Sequence, residues 1–197
     1  MSEADPLAPL LSALGDLVRW MQDERIPGMV IGGVAASILG RPRVTRDIDA
    51  IVLLDEARWE QFFTVGARFG FVPRRPDSLG FARQARVLLL RHESSGIDLD
   101  IIFGSLAFEQ EAVARAISVN IHGVMVPLPT PEDLAIMKAV AHRPRDMADI
   151  EALLGAQPKL DLRRVRRWVR QFSAAMEMPE VLDDLESLLA RHRKRGR

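Results

Sequence analysis

The chain has 197 residues, enough for one substantial core or a core with a small appended domain. With 48% hydrophobic and 27% charged residues it is an ordinary globular composition; lacking cysteine, it can hold neither a disulfide framework nor a thiolate metal site, and no apolar run approaches the roughly 20 residues of a membrane-spanning helix. Basic and acidic side chains balance at 27 each but unevenly, since residues 157–197 carry 11 basic against 6 acidic and residues 1–156 carry 16 against 21. The N-terminus shows no basic start followed by an apolar signal core, so cytoplasmic residence without a membrane partner is expected.

Residues 7–24 place Leu7, Leu10, Leu11, Leu14, Leu17, Val18 and Met21 at helical spacing. Met29-Val30-Ile31 reads as a short buried strand ending at Gly32-Gly33, and 34–39 as a short helix closed by Gly40 and stopped by Pro42. A strongly apolar strand over 48–54 and a helix over 56–69 follow. Extended segments are expected at 85–91 and 97–103 around the turn Glu93-Ser94-Ser95-Gly96, then a helix at 106–116 and two short strands around His122-Gly123. After Pro127 the pattern is helical, with breaks near Pro144, Gly155–Pro158 and Pro179. The expected architecture is an α/β (α+β) core over 1–128 and a helical C-terminal subdomain with a basic tail over 129–197.

The stretch Arg43-Val44-Thr45-Arg46-Asp47-Ile48-Asp49 sets two carboxylates two residues apart at the mouth of a strand, so Thr45, Asp47 and Asp49 share one face. Two such charges about 4 Å apart repel by roughly 4 kcal/mol at an effective dielectric near 20, which solvent or a cation between them would relieve. Oxygen ligands on neighbouring carboxylates suit Mg²⁺ or Mn²⁺, ions that also hold substrate phosphates. Asp98-Leu99-Asp100 repeats the pattern on a second apolar strand; Asp100 enters the more apolar half and is favoured as a third metal carboxylate, with Asp98 the alternative. Gly32-Gly33 at a strand-to-helix turn allows close approach of a phosphate to free N–H groups, although such a pair also serves plain tight turns. Arg41, Arg43 and Arg46 would neutralise a triphosphate or pair with the aspartates.

Downstream, Thr130-Pro131-Glu132-Asp133 is a strong helix start. Lys138 falls on the apolar stripe of that helix, notable in a chain with 24 arginines and 3 lysines. It reads either as a phosphate-binding charge or as a stem packed on the core with its ammonium at the surface. Asp146 and Asp149, at i and i+3, would orient substrate or Lys138. The basic segments Arg163–Arg170 and Arg191–Arg197 read as a solvated helix face and tail, or as a dock for a nucleic-acid backbone, with Trp168 offering a stacking ring. The four histidines lack metal-ligand spacing.

These motifs, in this order from residue 28 to 154, resemble the polymerase-β-like nucleotidyltransferase superfamily, and within it the AbiEii-type and MenT-like toxin nucleotidyltransferases and their uncharacterised bacterial relatives. The resemblance implies a twisted mixed sheet flanked by helices, with a helical C-terminal region. It implies Asp47, Asp49 and Asp100 as metal carboxylates, Gly32, Gly33, Thr45, Arg43 and Arg46 around the nucleotide, and Lys138 with Asp146 as a downstream catalytic pair. The implied reaction is Mg²⁺- or Mn²⁺-dependent transfer of NMP from an NTP to a hydroxyl, with RNA (a tRNA 3′ end) as acceptor and a cognate antitoxin as protein partner. An aminoglycoside-type small-molecule transferase and a non-catalytic binding protein on the same fold are the alternatives.

Overall fold

The computed structural model describes residues 6–195. They divide into two compact units: the described residues up to Val34 with Thr45–Leu128, and Ala35–Val44 with the described residues from Pro129 onward. The sequence boundary at 128/129 is therefore one of three crossings, because residues 35–44 join the helical unit. Gly196, Arg197 and the side chain of Arg195, all in the basic tail, lie outside the described residues. Among those described, no helix is long and apolar enough to cross a membrane.

The first unit is built on a five-stranded mixed sheet of order β1-β2-β5-β4-β3, with β1 Gly28–Ile31, β2 Asp47–Val52, β3 Phe71–Pro73, β4 Val87–His92 and β5 Asp98–Phe103. Only β2 and β5 run parallel; the other pairs are antiparallel. Alternation puts Ile48, Ala50, Val52, Leu99, Ile101 and Phe103 on the buried face. Helix α1 (Ala8–Asp23) buries Leu14, Leu17, Val18, Trp20 and Met21, and Trp20 stacks on Phe62 at 4.0 Å and Phe71 at 5.5 Å. Trp59 stacks on Phe103 at 3.9 Å. Aromatic pairs of this kind contribute beyond their buried area, by about 0.5–1.5 kcal/mol each.

The expected helix over 56–69 is helix α3 (Trp59–Gly66) between two 3₁₀ turns. Helix α2 (Gly32–Leu39) starts two residues earlier than its pattern, directly at the glycine pair. Strand β2 ends at Val52: the Leu53 N–H still reaches the Pro27 carbonyl in register, but proline has no N–H to return the bond. Strand β3 and helix α4 (Ser78–Ala85) have no counterpart in the sequence reading. The strand is three residues long, and the helix is eight residues opened by an Asp77 cap on the Gly80 N–H. Helix α5 (Ala107–Ala114) and the hairpin β6 (Ile117–Ile121) with β7 (Val124–Leu128) complete this unit; the hairpin turns at His122 and Gly123, both at positive φ.

In the second unit, helices α6 (Pro131–Ala141), α7 (Pro144–Ala156), α8 (Leu162–Ala175) and α9 (Glu180–Arg195) pack around Leu134, Ile136, Ile150, Leu153, Val165, Val169, Val181 and Leu185. Thr130 caps α6 by accepting from the Asp133 N–H, and proline sits in the first turn of both α6 and α7. Asp133 and Arg164 form a fully buried ion pair, with Nε to Oδ1 at 2.8 Å.

Candidate active site

In the first unit, the parallel register sets Asp47 opposite Asp98 and Asp49 opposite Asp100, so four carboxylates occupy one patch of one sheet face. The glycine turn is shaped to this patch. Gly32 has φ +63, and a Cβ there would lie 1.9 Å from Asp49 Oδ2, so the backbone approaches Asp49 as only glycine allows. Gly33 is buried behind it, within the first turn of α2. Thr45 serves the aspartates: its hydroxyl donates to Asp47 Oδ1 at 2.7 Å. Arg46 is exposed beside it.

The two candidate third carboxylates differ. Asp98 is engaged at both oxygens, Oδ1 by Arg91 Nε at 2.7 Å and Oδ2 by Arg74 at 3.1 Å, and the Arg91 hydrogen bond holds its carboxyl below the usual range. Asp100 is pushed up, by burial first and then by Asp49, Asp98 and Asp47, against the counter-pull of Arg74. Like-charge crowding of this sort is what a bound cation removes. The donor set is all oxygen and therefore fits Mg²⁺ or Mn²⁺. As placed, no three acidic or imidazole side chains among the described residues close around one point; the Arg74 guanidinium instead spans Asp98 and Asp100.

Sequence reasoning missed both arginines. Arg91 was within reach, since a hairpin turning at 93–96 places it opposite Asp98. Arg74 was not, because nothing local marks the three-residue strand that carries it.

The second unit holds the other cluster. The Lys138 ammonium is buried, 2.8 Å from Asp146 Oδ1 and 2.9 Å from Asp149 Oδ2. The sequence alternative of a stem packed on the core with its ammonium at the surface is thus corrected: α6 is buried around most of its circumference, and the whole Lys138 side chain lies inside. Arg143 holds Asp146 from the other side, with Nε to Oδ2 at 2.5 Å. Burial opposes ionisation of Asp146, but the Arg143 and Lys138 hydrogen bonds and charges outweigh it and keep the carboxyl below its ordinary range. Arg43 grips Asp149 through Nε and a terminal nitrogen, each at 3.2 Å. Of the two roles open to Arg43, pairing with a carboxylate is the one observed, and Asp149 is the carboxylate rather than the neighbouring Asp47 or Asp49.

The basic segment of α8 is not one surface. Arg164 is buried on Asp133, and Arg166 is paired to both oxygens of Glu186 at 2.7 and 3.0 Å. Arg163, Arg167 and Arg170 are exposed.

Parallel strands of a mixed sheet thus carry paired aspartates beside a glycine turn. Solved structures with this fold include the antibiotic-resistance factor ANT(2'')-Ia in solution, at 15% identity over 87% of this chain and 95% of that one, with a TM-score of 0.60. An antigenic nucleotidyltransferase-like protein from Paracoccidioides brasiliensis follows at 14% identity, 89% and 93% coverage and a TM-score of 0.54. The lincosamide antibiotic adenylyltransferase LnuA, with lincomycin bound, stands at 17%, 74% and 96%, and 0.50. At such identities the likeness is one of fold. No curated protein sequence matches the chain. Residues 12–187 match the nucleotidyltransferases of unknown function (DUF6036), and the chain belongs to that family.

Proposed function

We propose that this nucleotidyltransferase moves NMP from an NTP to an acceptor hydroxyl and releases pyrophosphate. The observation that carries this reading is the register of Asp47 and Asp49 against Asp98 and Asp100, with Gly32 moulded to Asp49. Asp47, Asp49 and Asp100 would hold Mg²⁺ or Mn²⁺, which neutralises phosphate charge and lowers the pKa of a bound hydroxyl. Thr45 keeps Asp47 oriented, and Gly32 and Gly33 at the start of α2 offer backbone N–H groups to the triphosphate. Arg46 supplies exposed positive charge on the segment leading into β2. Asp98, fixed by two arginines, positions its strand. Lys138 and Asp146 act as the downstream catalytic pair, with Arg143, Asp149 and Arg43 fixing their geometry.

For the acceptor, exposed Arg163, Arg167 and Arg170 on α8, with Arg191, Arg193 and Lys194 exposed on α9, favour an RNA 3′ end such as that of tRNA. The AbiEii- and MenT-like motif order extends this to a cytoplasmic toxin checked by a cognate antitoxin. A second reading has a small molecule as acceptor. It is favoured by the fold shared over 96% of LnuA, a lincosamide antibiotic adenylyltransferase, and over 74% of this chain.

The test incubates the protein with each α-³²P-labelled NTP, Mg²⁺ and total cellular RNA, beside Asp47→Ala/Asp49→Ala. Label in RNA with the intact protein alone supports the first reading. Label only in added aminoglycoside or lincosamide supports the second. Absence of metal-dependent NTP binding would sink both in favour of a non-catalytic role.

A further inference from the structure

The sheet register extends past the aspartates. Phe71, Val72 and Pro73 pair with His92, Arg91 and Leu90, and the Arg74 N–H continues the ladder to the Leu89 carbonyl at 3.1 Å. Leu89 is the partner of Asp100, and Asp100 of Asp49. Arg74, Leu89, Asp100 and Asp49 thus form one row across four strands, and Val72, Arg91, Asp98 and Asp47 form the next. Register partners share a face, so the main chain itself aims Arg74 over Leu89 at Asp98 and Asp100, which its guanidinium bridges. Its side chain is only 25% exposed, whereas that of Arg91, which touches Asp98 alone, is 53% exposed.

Building on the metal-site reading above, we infer that Arg74 acts as an internal counter-cation. It holds Asp100 while the site carries no divalent ion, releases Asp100 to an incoming ion, and then offers its charge, still anchored through Asp98, to the nucleotide phosphates. Metal affinity is accordingly held down until nucleotide is present to recruit the freed guanidinium. No covalent step is involved; the exchange is one ion pair for another.

The test measures Mn²⁺ binding by electron paramagnetic resonance in the full-length protein without nucleotide. Arg74→Gln removes the competitor and should tighten Mn²⁺ by roughly three- to tenfold, the scale of one or two partly exposed ion pairs, while weakening NTP binding. A merely structural loss would weaken both together. Arg74→Lys keeps one charge but not the bridge and should fall between wild type and Arg74→Gln, which maintains the test should the glutamine variant fail to fold. Unchanged or weaker Mn²⁺ binding in the variant that folds overturns the inference while leaving the metal site standing. Mn²⁺ binding by none of the proteins, with or without NTP, overturns the metal-site reading and this inference with it.

Discussion

Replacing Gly32 with alanine isolates the fit between the glycine turn and Asp49. The new Cβ would meet Oδ2 at 1.9 Å, Cγ at 2.7 Å and Cβ at 2.9 Å, where ordinary contact starts at 3.4 Å. Asp49 must therefore move by roughly 1.5 Å, and shifts near 1 Å in a reacting constellation cost on the order of a hundredfold in rate. The positive φ adds about 1–2 kcal/mol of backbone strain to the folded state. Gly123→Ala separates the two effects, since Gly123 also has positive φ (+91) with nothing within 4 Å of an added Cβ. Both variants should lose stability in urea titrations, Gly32→Ala at least as much as Gly123→Ala. Only Gly32→Ala should lose NMP transfer, by about a hundredfold or more, along with Mn²⁺ binding. Transfer by Gly32→Ala within a few-fold of Gly123→Ala would refute the assignment of Asp49 to the reacting centre.

Lys138→Met leaves two buried carboxylates, each with one arginine still attached. The expected loss is about 2–4 kcal/mol, somewhat below that for a fully orphaned buried partner; denaturant unfolding showing less than about 1 kcal/mol would contradict the buried network. Because the Asp146 carboxyl lies below its ordinary value in the folded state, its contribution is full above the unfolded pKa near 3.8 and fades as pH falls through the folded one. The stability advantage of wild type over Asp146→Asn should therefore shrink on acidifying from about pH 5 toward pH 3, and a constant difference would count against the ion pairs. Replacing Arg163, Arg167 and Arg170 with serine, while keeping the structural Arg164 and Arg166, should weaken RNA binding and lower its salt slope by about 0.7 per lost phosphate contact. Equal affinity and slope in filter binding would remove the RNA surface from α8.

What could be read from the chain followed physical scale. Asp47, Asp49, Asp98 and Asp100 stood out because alternation inside two buried strands leaves carboxylates few places to go, and the parallel register then joined them. Lys138 stood out as one of only three lysines, four residues after Leu134 in a mostly apolar helix. Arg74 escaped because its position depends on two successive strand pairings with no local signal. The α8 arginines were legible as charge but not as roles. Whether an arginine meets Asp133, Glu186 or solvent is decided by helices 20 to 31 residues away.

The contribution of residues 35–44 to the helical unit has a consequence for how the chain is made. Arg43 and its partner Asp149 are 106 residues apart, and Gln157 reaches the Leu39 carbonyl across 118. On the ribosome, the segment bearing Arg43 emerges early and waits for most of the chain before its partners are synthesised. A fragment starting at Pro129 would contain all four C-terminal helices yet lack the strap that closes them, with Asp149 stripped of its arginine. Excision of that unit by a single cut would leave it incomplete, and a permuted chain joining 35–44 to 129 would be the form suited to study in isolation.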